Sequence, residues 1–171
     1  MPVLYATLAS PLDELLLLGD TGSGQFRLTA VYCTPHQGRP DQARDWRRDD
    51  VAFRAVTDQL AAYFAGDLQD FDVPLEPQGT PFQHEVWAAL RRIPYGTTTT
   101  YGALALELGR PLGASRAIGL ANGRNPISIL VPCHRVIGSS GTLVGYGGGV
   151  HRKQWLLGHE ARVAGAEPTL F

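Results

Sequence analysis

The chain has 171 residues, 44% hydrophobic and 18% charged, a globular composition that excludes a disordered polymer. Its apolar run "LLLL" at 15–18 is too short to span a bilayer, and "MPVLYATLASPLDE" lacks the basic start and long apolar stretch of a secretory signal, so a soluble cytoplasmic protein is expected. The net charge of −1 hides a split, because residues 1–90 carry 6 Lys+Arg against 13 Asp+Glu and residues 91–171 carry 9 against 3. The asymmetry serves solubility alone or marks the basic half for an anionic partner such as nucleic acid.

In chain order, "VLYATLAS", "ELLLLGD" and "QFRLTAVYC" read as strands, separated by the turn signals "SPLD" and "DTGSG". Residues 34–49 hold Pro35, Gly38, Pro40 and several charges, and read as a loop. From 50 to 65, Ala52, Val56, Leu60 and Phe64 recur every four residues with Phe53 and Tyr63 beside them, a buried helical stripe that Gly66 is placed to stop. "DFDVPLEP" follows as a short extended piece, and "PLEPQGTPF" marks the boundary between domains at 1–78 and 79–171.

The second domain opens on a helix signal. Thr80 is a cap hydroxyl, Pro81 suits the first helical position and Gln83 completes a capping box. The helix over 81–92 is expected to bury Phe82, Val86, Trp87 and Leu90. Two short helices follow, near 100–108 and 114–122. Thr100 caps the first, Gly109 and Pro111 end it, and Gly123 ends the second. Their proportions fit a helix-turn-helix, with Arg116 near the start of the second helix and Ser115, Ala117, Gly119 and Ala121 keeping its faces small. "GYGGG" at 145–149 reads as a loop whose backbone can approach a ligand closely, and "VHRKQWLLGHEA" as a final helix. Its basic cluster "HRK" could equally be a solvated face, and the tail "EPTLF" carries no signal.

"ILVPCHRVIG" at 129–138 is the segment that carries chemistry. Two cysteines, Cys33 and Cys133, are too few for a disulfide framework. No C-x-x-C pair exists and the five histidines are scattered, so neither a metal nor another cofactor is expected. Cys33, ending an apolar strand with no base beside it, fits a small buried hydrophobe. Cys133 has His134 and Arg135 behind it and lies in the basic half. A free thiol is only a few per cent ionised at neutral pH, so a nucleophilic cysteine needs a base or positive surroundings. Adjacent side chains rarely face each other, so His134 would reach the sulfur through a water. Of the acids after residue 90, Glu160 is best placed to orient it, ahead of Glu107 and Glu167. These residues alone leave Cys133 open between nucleophile and core filler.

"NPISILVPCHRVIGSSGTLVGYGGG" resembles the active-site segment of the O6-alkylguanine-DNA alkyltransferases. Pro132-Cys133-His134-Arg135-Val136 carries the family pentapeptide, and "IPYGTTTTYG", "SRAIGLANGRNP" and "GYGGG" follow in order. The resemblance is close over about 79–160 and looser before it. It implies an α+β fold: an N-terminal α/β, ribonuclease H-like domain with antiparallel strands, and a mostly helical, winged-helix-like domain with a helix-turn-helix. It implies that Cys133 accepts an alkyl group from O6 of guanine, and also from O4 of thymine, in duplex DNA, irreversibly and once per molecule. His134 through a water and Glu160 would form the thiolate, Tyr101 would protonate the leaving base, and Asn125 would brace the turn beside the cysteine. Arg116 would fill the space of the flipped base, with Ser115, Ala117, Tyr101 and Gly123 at the DNA. Tyr146, Gly147, Gly148, Pro132 and Val136 would line the guanine pocket.

The partner implied is double-stranded alkylated DNA, bound by a monomer without membrane or metal. Thr97 stands where many relatives carry a charge, Gly147 replaces a serine of some relatives, and the zinc-binding cysteines of others are absent. Two other functions compete. A lesion-binding protein would flip the base without repairing it, but relatives of that kind replace the active cysteine with tryptophan. A Cys-His hydrolase would turn over, and leaves Arg116 and the helix pair unexplained.

Overall fold

Hydrophobic segments punctuated by turns make the first sheet. In this computed structural model, which describes residues 3–34, 45–143 and 146–165, the three expected strands are β1 (Leu4–Leu8), β2 (Leu15–Asp20) and β3 (Arg27–Cys33). With a fourth strand, β4 (Arg47–Arg48), the order is β3-β2-β1-β4, and β1 and β3 are both antiparallel to β2. Central β2 is buried on both faces from Leu15 to Gly19, which explains why its sequence is a continuous apolar run. β4 (Arg47–Arg48) pairs parallel to β1 inside the segment read as a loop, an addition its charged sequence did not announce. Most of that segment, with Gly145, Glu167 and the tail, lies outside the described residues.

Helix α1 (Arg54–Ala65) corrects the expected stripe. Its buried residues are Val56, Leu60 and Tyr63, with Phe53 at the N-cap, whereas Ala52 and Phe64 are only half-buried. The Phe26 and Phe53 rings pack edge to face with centroids 4.9 Å apart, and Tyr63 packs on Phe64 and Phe71, so Phe53 and Tyr63 take the core. Gly66 ends the helix in the left-handed region at φ 85°, as its position predicts.

The chain divides into two compact units, Met1–Gln78 with Pro126–Ser128, and Gly79–Asn125 with Ile129–Phe171. Within the first, Leu75 bridges to Leu28 and Ile127 to Val31, both parallel.

The second unit begins with α2 (Pro81–Leu90), where the full capping box forms: Gln83 N donates to Thr80 Oγ1, and Thr80 N to Gln83 Oε1. Such a cap is worth about 1 kcal/mol. Val86, Trp87 and Leu90 are buried, and Phe82 is half-buried against the Arg110 guanidinium. Trp87 is core, with Nε1 donating to Ala121 O at 2.9 Å. A Cβ at Gly79 would come within 2.5 Å of the Trp87 ring. Gly79→Ala is therefore expected to destabilise the second unit by about 1–3 kcal/mol through overpacking, read as a lower urea midpoint; an unchanged midpoint would show that the indole relaxes freely.

Helices α3 (Tyr101–Glu107) and α4 (Ser115–Gly123) flank a turn containing Gly109 at φ 67° and a short 3-10 segment, Leu112–Ala114. Thr100 Oγ1 caps α3 by accepting from Ala103 N, and both α2 and α3 pack on α4. A two-residue parallel pair, β5 (Thr99–Thr100) with β6 (Val136–Ile137), places Tyr101 beside the cysteine segment. The final helix α5 runs Val150–Val163. No helix among the described residues is long and apolar enough to cross a membrane.

Candidate active site

The apolar run before Cys133 is built from turns. Residues 128–130 form a turn and Val131 a bend, and Ile129 sits at φ 76°, strained for a β-branched residue and buried. Pro132, at φ −81° and ψ 63°, is the centre of an inverse γ-turn closed by Cys133 N donating to Val131 O at 2.8 Å. Proline fixes the φ this turn needs. Asn125 braces it, with Nδ2 donating to the same Val131 carbonyl at 2.8 Å and a further side-chain bond to the thiol. Cys133–Arg135 then form one 3-10 turn, which separates the directions of three successive side chains.

Those directions define the site. His134 Nε2 lies 2.7 Å from Glu160 Oε2, and Arg135 donates from Nε to Oε1 at 2.8 Å and from Nη2 to Oε2 at 3.0 Å. Gly96 N adds a bond to Oε1, and Arg135 Nη1 is tied to Ile93 O. All three side chains are buried. Burial works against charge on Glu160, but the His134 contact and the Arg135 fork outweigh it and hold the carboxyl well below the usual range. An ionised Glu160 only accepts, so Nε2 of His134 carries the hydrogen. Burial keeps the imidazole below its ordinary pKa despite Glu160, so it rests neutral. Nδ1 is then a buried acceptor without a partner among the described residues, one peptide from the sulfur.

The thiol is 4% exposed. Basic surroundings predict a depressed pKa, yet burial wins and raises it, against Asn125, Lys153 and the local backbone N–H groups. The resting group is a protonated thiol, and the acceptor nitrogen without a partner among the described residues belongs to the next residue in the chain.

Lys153 is the largest omission of the sequence reading, which allowed "HRK" to be a solvated face. It is 0% exposed, Nζ donates to Val136 O at 2.5 Å, and burial pulls its pKa down to about 8 against the influence of Cys133. Arg152 is buried too and donates to Gly148 O at 2.8 Å, fixing the glycine loop. Only His151 of the three is exposed. The signal was available, because 153, 156, 157 and 160 fall on one helical face, and Leu156 and Leu157 mark it as buried.

Other expected residues take two kinds of position. Tyr101 is half-buried; burial and the Cys133 sulfur raise its pKa, so it keeps its proton. Val136 is tied to Lys153, while buried Tyr146 and the neighbouring Gly147 and Gly148 form the turn that enters α5 at Gly149, φ 94°. Arg116 and Ala117 are exposed on α4, Ser115 Oγ donates to Leu112 O, and Gly123 is the last helical residue, with Arg124 at the C-cap. Arg116 lies one turn before Gly119, where a Cβ would stand 3.7 Å from the Tyr101 ring. Glu107 is not a partner of His134; it pairs with Arg92 at the surface.

Comparisons with known proteins agree on one family. A model described as "6-O-methylguanine DNA methyltransferase, DNA binding domain" matches residues 81–162, and the "ribonuclease-like domain" of the same protein matches 3–77. The Mycobacterium tuberculosis (strain H37Rv) methylated-DNA–protein-cysteine methyltransferase is 52% identical over 167 residues, 98% of each chain. A crystal structure of the M. tuberculosis O6-methylguanine methyltransferase superposes with a TM-score of 0.85 at 50% identity, covering 96% of each chain. Another, described as M. tuberculosis OGT in complex with DNA, gives 0.83 at 49%, covering 95% of this chain and 94% of that one.

Proposed function

The chain belongs to the 6-O-methylguanine DNA methyltransferase family, and on that premise we propose that it repairs alkylated duplex DNA by moving the O6-alkyl group of a damaged guanine onto Sγ of Cys133, once per molecule. The observation that carries the assignment to Cys133 is a buried thiol followed in the chain by a neutral histidine, one of whose nitrogens is locked to an ionised, arginine-held carboxylate.

A thiol this buried meets a base only when the nucleotide leaves the stack. Unstacking costs a few kcal/mol, least for a poorly paired base, and phosphate contacts from the basic half with the inserted Arg116 offset it. His134 Nδ1 takes the thiol proton, through a water, while Nε2–H stays on Glu160. The sulfur then attacks the alkyl carbon: the S–C bond forms, the C–O6 bond breaks and the electron pair passes to the base. Tyr101, which keeps its proton, supplies it to the leaving guanine and is reprotonated through solvent. The products are a thioether and guanine. Tyr146, Gly147, Gly148, Pro132 and Val136 line the pocket in this scheme, and Ser115, Ala117 and Gly123 let α4 approach the duplex. The thioether has no route back to a thiol, hence one turnover. A monomer in the cytoplasm, where thiols stay reduced, suits this chemistry, and O4-alkylthymine is a second substrate to assay.

The test is intact mass after incubation with duplex DNA bearing O6-methylguanine. One methyl on Cys133 per molecule, with guanine restored, supports the reading. Binding without a mass change would make the protein a lesion binder, and repeated turnover would make it a hydrolase. Arg116→Ala is expected to slow transfer from duplex by roughly 10- to 100-fold while leaving single-stranded substrate less affected, since its work is filling the vacated stack. Equal rates on duplex would remove that role.

A further inference from the structure

Asn122 belongs to no part of the scheme above, yet it lies at its centre. It is 1% exposed on α4, one turn after Gly119, against which the Tyr101 ring rests. Its Nδ2 donates to Cys133 O at 3.3 Å, and a side-chain hydrogen bond joins it to Tyr101. Its Oδ1 is buried without a partner among the described residues.

A buried amide with its acceptor unmatched is costly and is not what core packing selects, since an apolar side chain of similar size would fill the place. The Cys133 carbonyl only accepts, so it orients the amide with nitrogen toward itself; a flip would set two oxygens face to face. With the nitrogen so placed, its second hydrogen meets the Tyr101 oxygen, which is used as an acceptor there. The phenol hydrogen is then directed to a different acceptor.

We infer that Asn122 is a positioning residue for alkyl transfer, holding the Tyr101 hydroxyl and the Cys133 main chain in one fixed relation through the two hydrogens of its amide. The inference rests on the proposed function. It adds that the proton donor and the nucleophile are tied by a single side chain, so that Tyr101 presents its hydrogen to the leaving base while the sulfur is in place.

The experiment is a double-mutant cycle on single-turnover rates with saturating O6-methylguanine duplex, using Asn122→Leu, Tyr101→Phe and the pair. Asn122→Leu is expected to slow transfer about 10- to 100-fold with the half-saturating DNA concentration unchanged, and to cost less than about threefold once Tyr101 is Phe. Asn122→Ser, which keeps one donor, should fall between the two, and it carries the same cycle if the leucine variant folds poorly by circular dichroism. Equal losses with and without the Tyr101 hydroxyl, or no loss, would overturn the inference. A wild-type protein that transfers no alkyl group would instead overturn the underlying function, and this role with it.

Discussion

Cys133→Ala is expected to abolish alkyl transfer completely while the protein stays folded and still binds alkylated duplex. No other side chain described at the site carries a sulfur, so none can form the thioether, and the buried Glu160 and Lys153 are held by His134 with Arg135 and by Val136 O. Removing one sulfur from a buried position costs stability of only about 1–2 kcal/mol, within what a folded unit tolerates. The measurement is a pair: intact mass after incubation, and fluorescence anisotropy with labelled O6-methylguanine duplex. Unchanged mass with retained binding separates chemistry from recognition. A methyl adduct on the alanine variant would move the acceptor to another residue and sink the assignment. Cys133→Ser should behave almost as poorly, since a hydroxyl is a far weaker nucleophile at neutral pH than a thiol with the same base.

Glu160→Gln carries the second large effect, and it acts on stability and rate together. The glutamine keeps the shape but leaves the buried Arg135 guanidinium without its charged partner. Breaking one side of a buried ion pair costs about 3–5 kcal/mol. It also turns one of the two accepting oxygens into a donating NH2, so His134 Nε2–H and the Arg135 fork compete for a single uncharged acceptor, Nδ1 is less firmly fixed as the acceptor, and transfer should fall by roughly 10²- to 10⁴-fold. The pH dependence gives a separate check. The carboxyl of Glu160 is held below its unfolded value, so its contribution is fully present above the ordinary carboxylate pKa, about 4.3, and is lost as pH falls below it. Wild-type protein should therefore lose stability on acidification by more than Glu160→Gln does, measured as urea midpoints at neutral and acid pH. Parallel acid profiles would mean that Glu160 is not the ionised centre of the network.

Local signals were legible where one residue type satisfies one local need. Thr80, Pro81 and Gln83 specify a helix start by backbone bonds that close within four residues, and the box forms as read. Gly66 supplies a left-handed stop. The register of α1 was not legible, because Ala52 and Phe64 repeat as regularly as Phe53, Val56, Leu60 and Tyr63. Only packing among Phe26, Phe53, Tyr63 and Phe71 chose between the two stripes. The short strands β4 to β6 escaped as well, since two residues carry no periodicity and form only where a partner strand meets them.

The site divides in the same way. By itself the sequence determined the family, the pentapeptide around Cys133 and the placing of positive charge in the same half, because these depend on residue identity and order. Tertiary structure alone decided the electrostatics. Whether Lys153 and Arg152 are solvated or buried, whether Glu160 or Glu107 meets His134, and that Asn122 faces both Tyr101 and Cys133 all depend on how the folded chain brings separate segments together. The direction of the thiol pKa turned on this too. Basic neighbours in a sequence suggest a thiolate, but desolvation is a property of the folded surroundings, and here it keeps Cys133 protonated until its proton is taken.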